Sequence, residues 1–130
     1  MSQKTNSELT IKRSDYVKIS SLVPAAAEDV QEFLELELDR ASIVEDDVFP
    51  NDVVAMESVV RYLTLESNKE SEVRLVYPGA PTSSINQVSV LAPVGAALIG
   101  LRVGQSLKWP TPQGEMREIR VLSVRPAETV

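Results

Sequence analysis

Glu28-Asp29, with Glu32 one turn further on, and Glu45-Asp46-Asp47 are the places in this chain where chemically useful side chains crowd together. Adjacent carboxylates are hard oxygen ligands suited to magnesium or calcium, but no EF-hand spacing surrounds either group. The competing reading is electrostatic. Glu28 and Asp29 fall where a helix begins, and an acid in the first turn stabilises the helix dipole by about 0.3–1 kcal/mol. Glu45-Asp46-Asp47 then reads as a solvated linker. Other chemistry narrows quickly. The 130 residues contain no histidine and no cysteine, which removes the commonest general base, the commonest zinc ligand and every disulfide. The five glycines are scattered at Gly79, Gly95, Gly100, Gly104 and Gly114, so no phosphate-cradling loop is present. No catalytic residue, metal site or cofactor is expected.

The net charge of −6 sits in the N-terminal third. Residues 1–47 hold five bases against eleven acids, whereas residues 48–130 hold eight of each. Such an acidic segment cannot track a phosphate backbone. Direct nucleic-acid binding is therefore not expected, and a basic protein groove or a metal ion is the better partner for this segment. No run of ~18 apolar residues suggests a membrane span. The opening MSQKTNSELTIKRSD lacks the apolar stretch of a secretory signal. With no cysteine, these features point to the cytoplasm.

The elements that must position these residues divide into an arm, 1–47, and a head, 48–130. Residues 1–13 read as a frayed terminus. Ser14 followed by Asp15 reads as a helix cap with a first-turn acid, and Tyr16, Ile19, Leu22 and Val23 make the apolar face as far as Pro24. A second helix is expected from about Ala26 to Ile43, roughly 25 Å long at 1.5 Å per residue. Val30, Phe33, Leu34, Leu38 and Ala41 share its stripe, while Glu28, Glu32, Glu35 and Asp39 lie off it. The two helices would form a short antiparallel hairpin.

In the head, Val53–Leu65 and Val73–Tyr77 alternate as strands about a polar loop. A third strand, Gln87–Leu91, runs into a short helix started by Pro93 and stopped at Gly100. Leu107–Trp109 and Met116–Val124 flank a Gln113-Gly114 turn as a last hairpin. About five strands with one helix across them is an α+β domain.

The stretches VFPNDVVAMESVVRY, LVYP and VSVLAPVGAALIGLRVGQSLKWPTPQG are similar to the C-terminal domain of bacterial Gre transcript-cleavage factors. They also resemble the shorter Rnk family, regulators of nucleoside diphosphate kinase. The resemblance spans roughly Asp39 to Val124. It implies an FKBP-like antiparallel sheet in the head and bacterial RNA polymerase as partner. In Gre factors a Ser-Pro-aliphatic loop docks on a coiled coil at the rim of the polymerase secondary channel. The matching residues here are Leu91, Ala92, Pro93, Val94 and Gly95, with Ala92 replacing the serine. That replacement removes one hydrogen bond, about 1 kcal/mol. The plainer alternative is that Pro93 only starts a helix and Val94 packs inward.

Gre factors also carry two acids at the tip of a long coiled coil, where they help hold a catalytic magnesium. Glu28, Asp29 and Glu32 take the tip position here, but the arm looks shorter and its PAAAED surroundings do not match the Gre tip. The resemblance therefore implies a monomeric, non-enzymatic transcription regulator that competes with Gre-type factors without cleaving transcripts. Two other classes stay open. One is a weak cleavage-stimulating factor using Glu28 or Asp29. The other is an FKBP-like prolyl isomerase or chaperone, which needs an aromatic-lined pocket. Of six aromatics, Phe49, Tyr62, Tyr77 and Trp109 lie in the head, and filling a small core or rim is the better account of them. Fold alone carries no activity.

Overall fold

Leu9 and Ile11 alternate with polar neighbours, and that short period-two pattern organises the whole arm. In a computed structural model, which describes residues 9–110 and 116–127, both side chains are buried (2% and 1% exposed). The chain runs through β1 (Thr10–Lys12), α1 (Arg13–Leu22), a 3-10 turn (Val23–Ala25), α2 (Glu28–Arg40) and β2 (Ser42–Val44). β1 and β2 pair in parallel, Thr10 opposite Ser42 and Lys12 opposite Val44. Parallel strands need a long crossover, and here the two helices supply it. Of the terminus expected to fray, residues 9–13 are thus built into the fold. The Ser42 amide donates to the Leu9 carbonyl at 2.8 Å, and the Thr10 amide donates to the Gly100 carbonyl at 3.1 Å. The second helix accordingly ends at Arg40, three residues earlier than its pattern suggested, because Ser42-Ile43-Val44 pairs with β1 instead.

A second 3-10 turn (Asp46–Val48) leads to the head, built from β3 (Val59–Thr64), β4 (Lys69–Val76), β5 (Gln87–Ser89), α3 (Pro93–Leu98), β6 (Ser106–Pro110) and β7 (Met116–Arg125). The five strands lie in the order β5-β4-β3-β7-β6. Val60 and Tyr62 point inward from β3 while Arg61 is exposed, as the alternation predicts. Where β3 meets β7 the register shifts after Arg61, from Ser123 to Val121, so Leu122 is an extra residue on β7. The sheet is not wholly antiparallel as expected: β5 pairs parallel to β4, Arg74 opposite Gln87. Pro78 and Pro81 in the preceding connection lack the amide donors a returning antiparallel strand would need. The chain therefore doubles back over residues 77–86 before pairing. The Gln113-Gly114 turn and the Trp109 side chain lie outside the described residues.

One buried cluster joins the two parts. Ile19, Val23, Val30, Leu34 and Leu38 from the arm pack with Val54, Met56, Leu75, Leu98, Ile119 and Val121 from the head. Each such side chain contributes about 1.5–3 kcal/mol when fully buried. Among the described residues, no helix is long and apolar enough to cross a membrane.

Candidate docking surface

Ser89 ends β5 and shapes the turn after it. Its hydroxyl accepts from the Leu91 amide at 3.0 Å, and its carbonyl accepts from the Ala92 amide at 3.0 Å. Ala92 is then extended (φ −80°, ψ 153°) and occupies the cap position of α3 without a side-chain hydrogen bond. Pro93 takes the first helical position, where its fixed φ fits and its missing N–H costs nothing. Leu91, Ala92, Pro93 and Val94 are half-buried, so each touches the body and keeps part of its surface open. Leu91 and Val94 also pack on the buried cluster. Gly95 differs: it is buried, and a Cβ there would lie 2.0 Å from the Ser89 carbonyl oxygen. Gly95 therefore lets α3 seat against the end of β5 and presents no side chain outward.

Gly100 ends this unit with φ +85°, a conformation that glycine adopts without strain. A Cβ at Gly100 would lie 3.3 Å from Ile11 Cγ1, so this turn also fits closely under the arm's first strand.

The acidic residues sit on α2, which packs against α3. Glu28, Asp29 and Glu32 stand at its start, with Glu28 and Asp29 exposed. The Asp29 carboxylate accepts from the Val30 amide at 3.0 Å, the local hydrogen bonding of a first-turn acid. Val30, Leu34 and Leu38 are buried beneath them, as the stripe predicts. Glu37 is buried as well. One of its oxygens accepts from Arg40 and the other, Oε1, has no partner. Among the described residues, no group of three or more His, Cys, Asp or Glu is placed to hold a metal ion.

Asp15 ties arm to head. Instead of a solvated first-turn acid, it is a buried carboxylate that accepts from the Met56 amide at 3.0 Å and from the Tyr77 hydroxyl at 3.3 Å. Burial, then the nearby Asp15 charge and its hydrogen bond, push the Tyr77 hydroxyl well above its ordinary value. The Lys18 ammonium lies 4.4 Å from the Tyr77 ring centroid and covers the same contact. Nothing in the local sequence around Asp15 announces Met56 or Tyr77 opposite it.

The acidic triplet also has partners the sequence did not show. Helix α1 starts at Arg13 with Lys12 at its cap position and no side-chain cap. The expected Ser14 cap is replaced from a distance: Asp46 Oδ1 accepts from the Ser14 amide at 3.1 Å. The Ser14 side-chain and backbone hydrogen bonds hold the Asp46 carboxyl below the usual carboxylate range. Beside it, Arg13 pairs with Glu45 at 2.7 Å. The segment read as a solvated linker is exposed, as expected, and two of its acids, Glu45 and Asp46, also tie it to the start of α1.

The comparisons with known proteins agree with this architecture. The family model "Transcription elongation factor, GreA/GreB, C-term" matches residues 49–126. The chain belongs to the GreA/GreB C-terminal-domain family. Within that class it is 43% identical over 95 residues to the "Regulator of nucleoside diphosphate kinase" of Escherichia coli (strain K12), covering 73% of this chain and 70% of that protein. Transcription elongation factor GreA of Clostridium botulinum (strain Langeland / NCTC 10281 / Type F) is 35% identical over 81 residues, 62% of this chain and 51% of that protein. The chain thus spans about half of that GreA. The solved transcription elongation factor GreA/GreB from Nitrosomonas europaea superposes with a TM-score of 0.71 at 34% identity, over 93% of this chain and 100% of that one.

Proposed function

We propose that this chain is a non-enzymatic transcription regulator that docks on bacterial RNA polymerase at the rim of the secondary channel and competes there with Gre-type factors. One observation carries the reading. In a member of the GreA/GreB family, the half-buried segment Leu91–Val94 is shaped by two hydrogen bonds to Ser89 and by Pro93 at the first position of α3. A preorganised apolar loop loses little ordering entropy on contact. Leu91, Ala92, Pro93 and Val94 supply the contact surface, and Gly95 allows α3 to support it from behind. The head is read as FKBP-like (48–130) and residues 1–47 as a short antiparallel arm, in a cytoplasmic monomer that uses no cofactor and makes no nucleic-acid contact of its own. Helix α2 has 13 residues, about 20 Å at 1.5 Å per residue. Glu28, Asp29 and Glu32 then face the basic lining of the channel without reaching its catalytic metal. Any influence on nucleoside diphosphate kinase is an indirect result of altered transcription.

The test is binding to core RNA polymerase by biolayer interferometry, with and without a saturating Gre factor. Binding that disappears under competition, and that weakens in Val94→Asp, supports the proposal. No binding at micromolar concentrations overturns it. Transcript cleavage that is lost in Glu28→Ala/Asp29→Ala would replace it with a weak cleavage-stimulating role.

A further inference from the structure

A groove of about 250 Å³ is lined by residues of α1, the turn after it and α2. Tyr16, Val23, Pro24 and Leu38 line it together with Ser20, and Glu35 and Asp39 stand on one wall, so its open surface is part apolar and part polar. These two acids are four residues apart on α2, so they are neighbours on one helix face. Both are exposed. Four other acids of the arm are engaged: Asp15 by Met56 and Tyr77, Glu37 by Arg40, Glu45 by Arg13 and Asp46 by Ser14. Glu28, Asp29, Glu32 and Asp47 share with Glu35 and Asp39 the lack of an ion pair among the described residues, but not the groove. Among the described residues, no ion pair engages Glu35 or Asp39.

A shallow, partly apolar cleft edged by two carboxylates without ion pairs is complementary to a long side chain with an apolar stem and a cationic head. Arginine fits better than lysine. Its planar fork can meet two carboxylates at once, and it stacks on aromatic faces such as that of Tyr16. We infer that this groove receives an arginine side chain presented by a protein partner. That the partner is RNA polymerase rests on the function proposed above; the groove's preference for arginine does not.

The test is an amide-shift titration of the ¹⁵N-labelled full chain with N-acetyl-arginine amide, beside the lysine and the uncharged citrulline analogues. The arginine probe is expected to give saturable shifts centred on Tyr16, Ser20, Glu35, Leu38 and Asp39, with weaker shifts from lysine. Citrulline should give none, and E35Q/D39N should abolish the arginine response. Shifts spread evenly along α2 through Glu28 and Glu32, an equal response to citrulline, or no response would each overturn the inference. In polymerase binding, E35Q/D39N should cost about tenfold more affinity than E28Q/E32Q, which removes the same charge; one charged hydrogen bond is worth about that factor. If the unmodified chain does not bind polymerase, the docking reading fails and the titration still decides the groove.

Discussion

The arm and the head share one buried cluster but are held in different ways. In the head, β3 is bonded on both sides along its whole length, to β4 and to β7. Its geometry therefore resides in backbone hydrogen bonds that no single side chain controls. The arm has a three-residue parallel ribbon, five apolar side chains from its helical part in the shared cluster and a few long-range polar contacts. Its placement is decided by individual residues. The head is thus a rigid platform for Leu91–Val94, whereas the acidic helix is held where it is by side chains that mutation can release one at a time.

The most damaging change should be one that strikes the platform through its backbone. Gly95→Val puts side-chain atoms where the Ser89 carbonyl already sits, and neither backbone can yield without separating α3 from β5. A loss of about 3 kcal/mol or more is expected, at the upper end for overpacking. It should be visible in denaturant unfolding as a lower midpoint. A loss under about 1 kcal/mol would mean that α3 can lift from the sheet, and the head would no longer count as rigid.

Next come changes that release the arm. Leu34 is fully buried in the shared cluster, and Leu34→Ala should cost about 2–5 kcal/mol. Asp15→Ala should cost about 1–3 kcal/mol, because it leaves the buried Met56 amide without its acceptor and Tyr77 without its partner. In both variants hydrogen exchange distinguishes arm from head. Amides of α1 and α2 should lose protection strongly, while those of β3 and β7 fall only with global stability. Equal loss everywhere would show that arm and head unfold as one unit and that Asp15 is no separate latch.

Much of the head was legible in the sequence because its signals are local. The alternation about Val60 and Tyr62, the Pro93 start of α3 and the strand segments need only neighbouring residues to be read. The stripe Val30, Leu34, Leu38 is local too. What escaped depends on residues distant along the chain. β1 is three residues long and becomes a strand only because Ser42–Val44 lies beside it. Asp15 looks like any first-turn acid until Met56 and Tyr77 are placed opposite it, and nothing near Asp46 in the sequence announces its bond to the Ser14 amide. The segment Leu91–Gly95, proposed above as a docking surface, was marked only by its resemblance to Gre factors. The sequence alone did not separate Gly95, which serves packing, from its four half-exposed neighbours, nor did it mark Ser89 as the residue that shapes their turn.

Tyr77 gives the same latch an alkaline signature. Its hydroxyl ionises less readily in the folded chain than in the unfolded one, chiefly through burial. A group whose folded value is raised stabilises fully below its unfolded value, near 10 for tyrosine, and that stabilisation is lost as pH rises beyond it. The thermal midpoint should therefore fall more steeply above about pH 10 in the unmodified chain than in Tyr77→Phe. Parallel curves would remove Tyr77 from the arm–head contact.

The smallest effect belongs to the tie between Asp46 and the start of α1, and it runs with the opposite sign. The Asp46 carboxyl is held below its ordinary value by Ser14. A depressed carboxylate stabilises above its unfolded value, about 4, and that stabilisation disappears as pH falls through the folded value. The difference in Tm between the unmodified chain and Asp46→Ala should thus be constant from neutral pH to about pH 5 and close toward pH 2. Asp46→Asn separates cap from charge, since its amide oxygen can still accept from the Ser14 amide but does not titrate. Its advantage over alanine should persist into acid. If asparagine and alanine behave alike at every pH, Asp46 acts by charge alone, and the remote cap contributes nothing to holding α1 against the head.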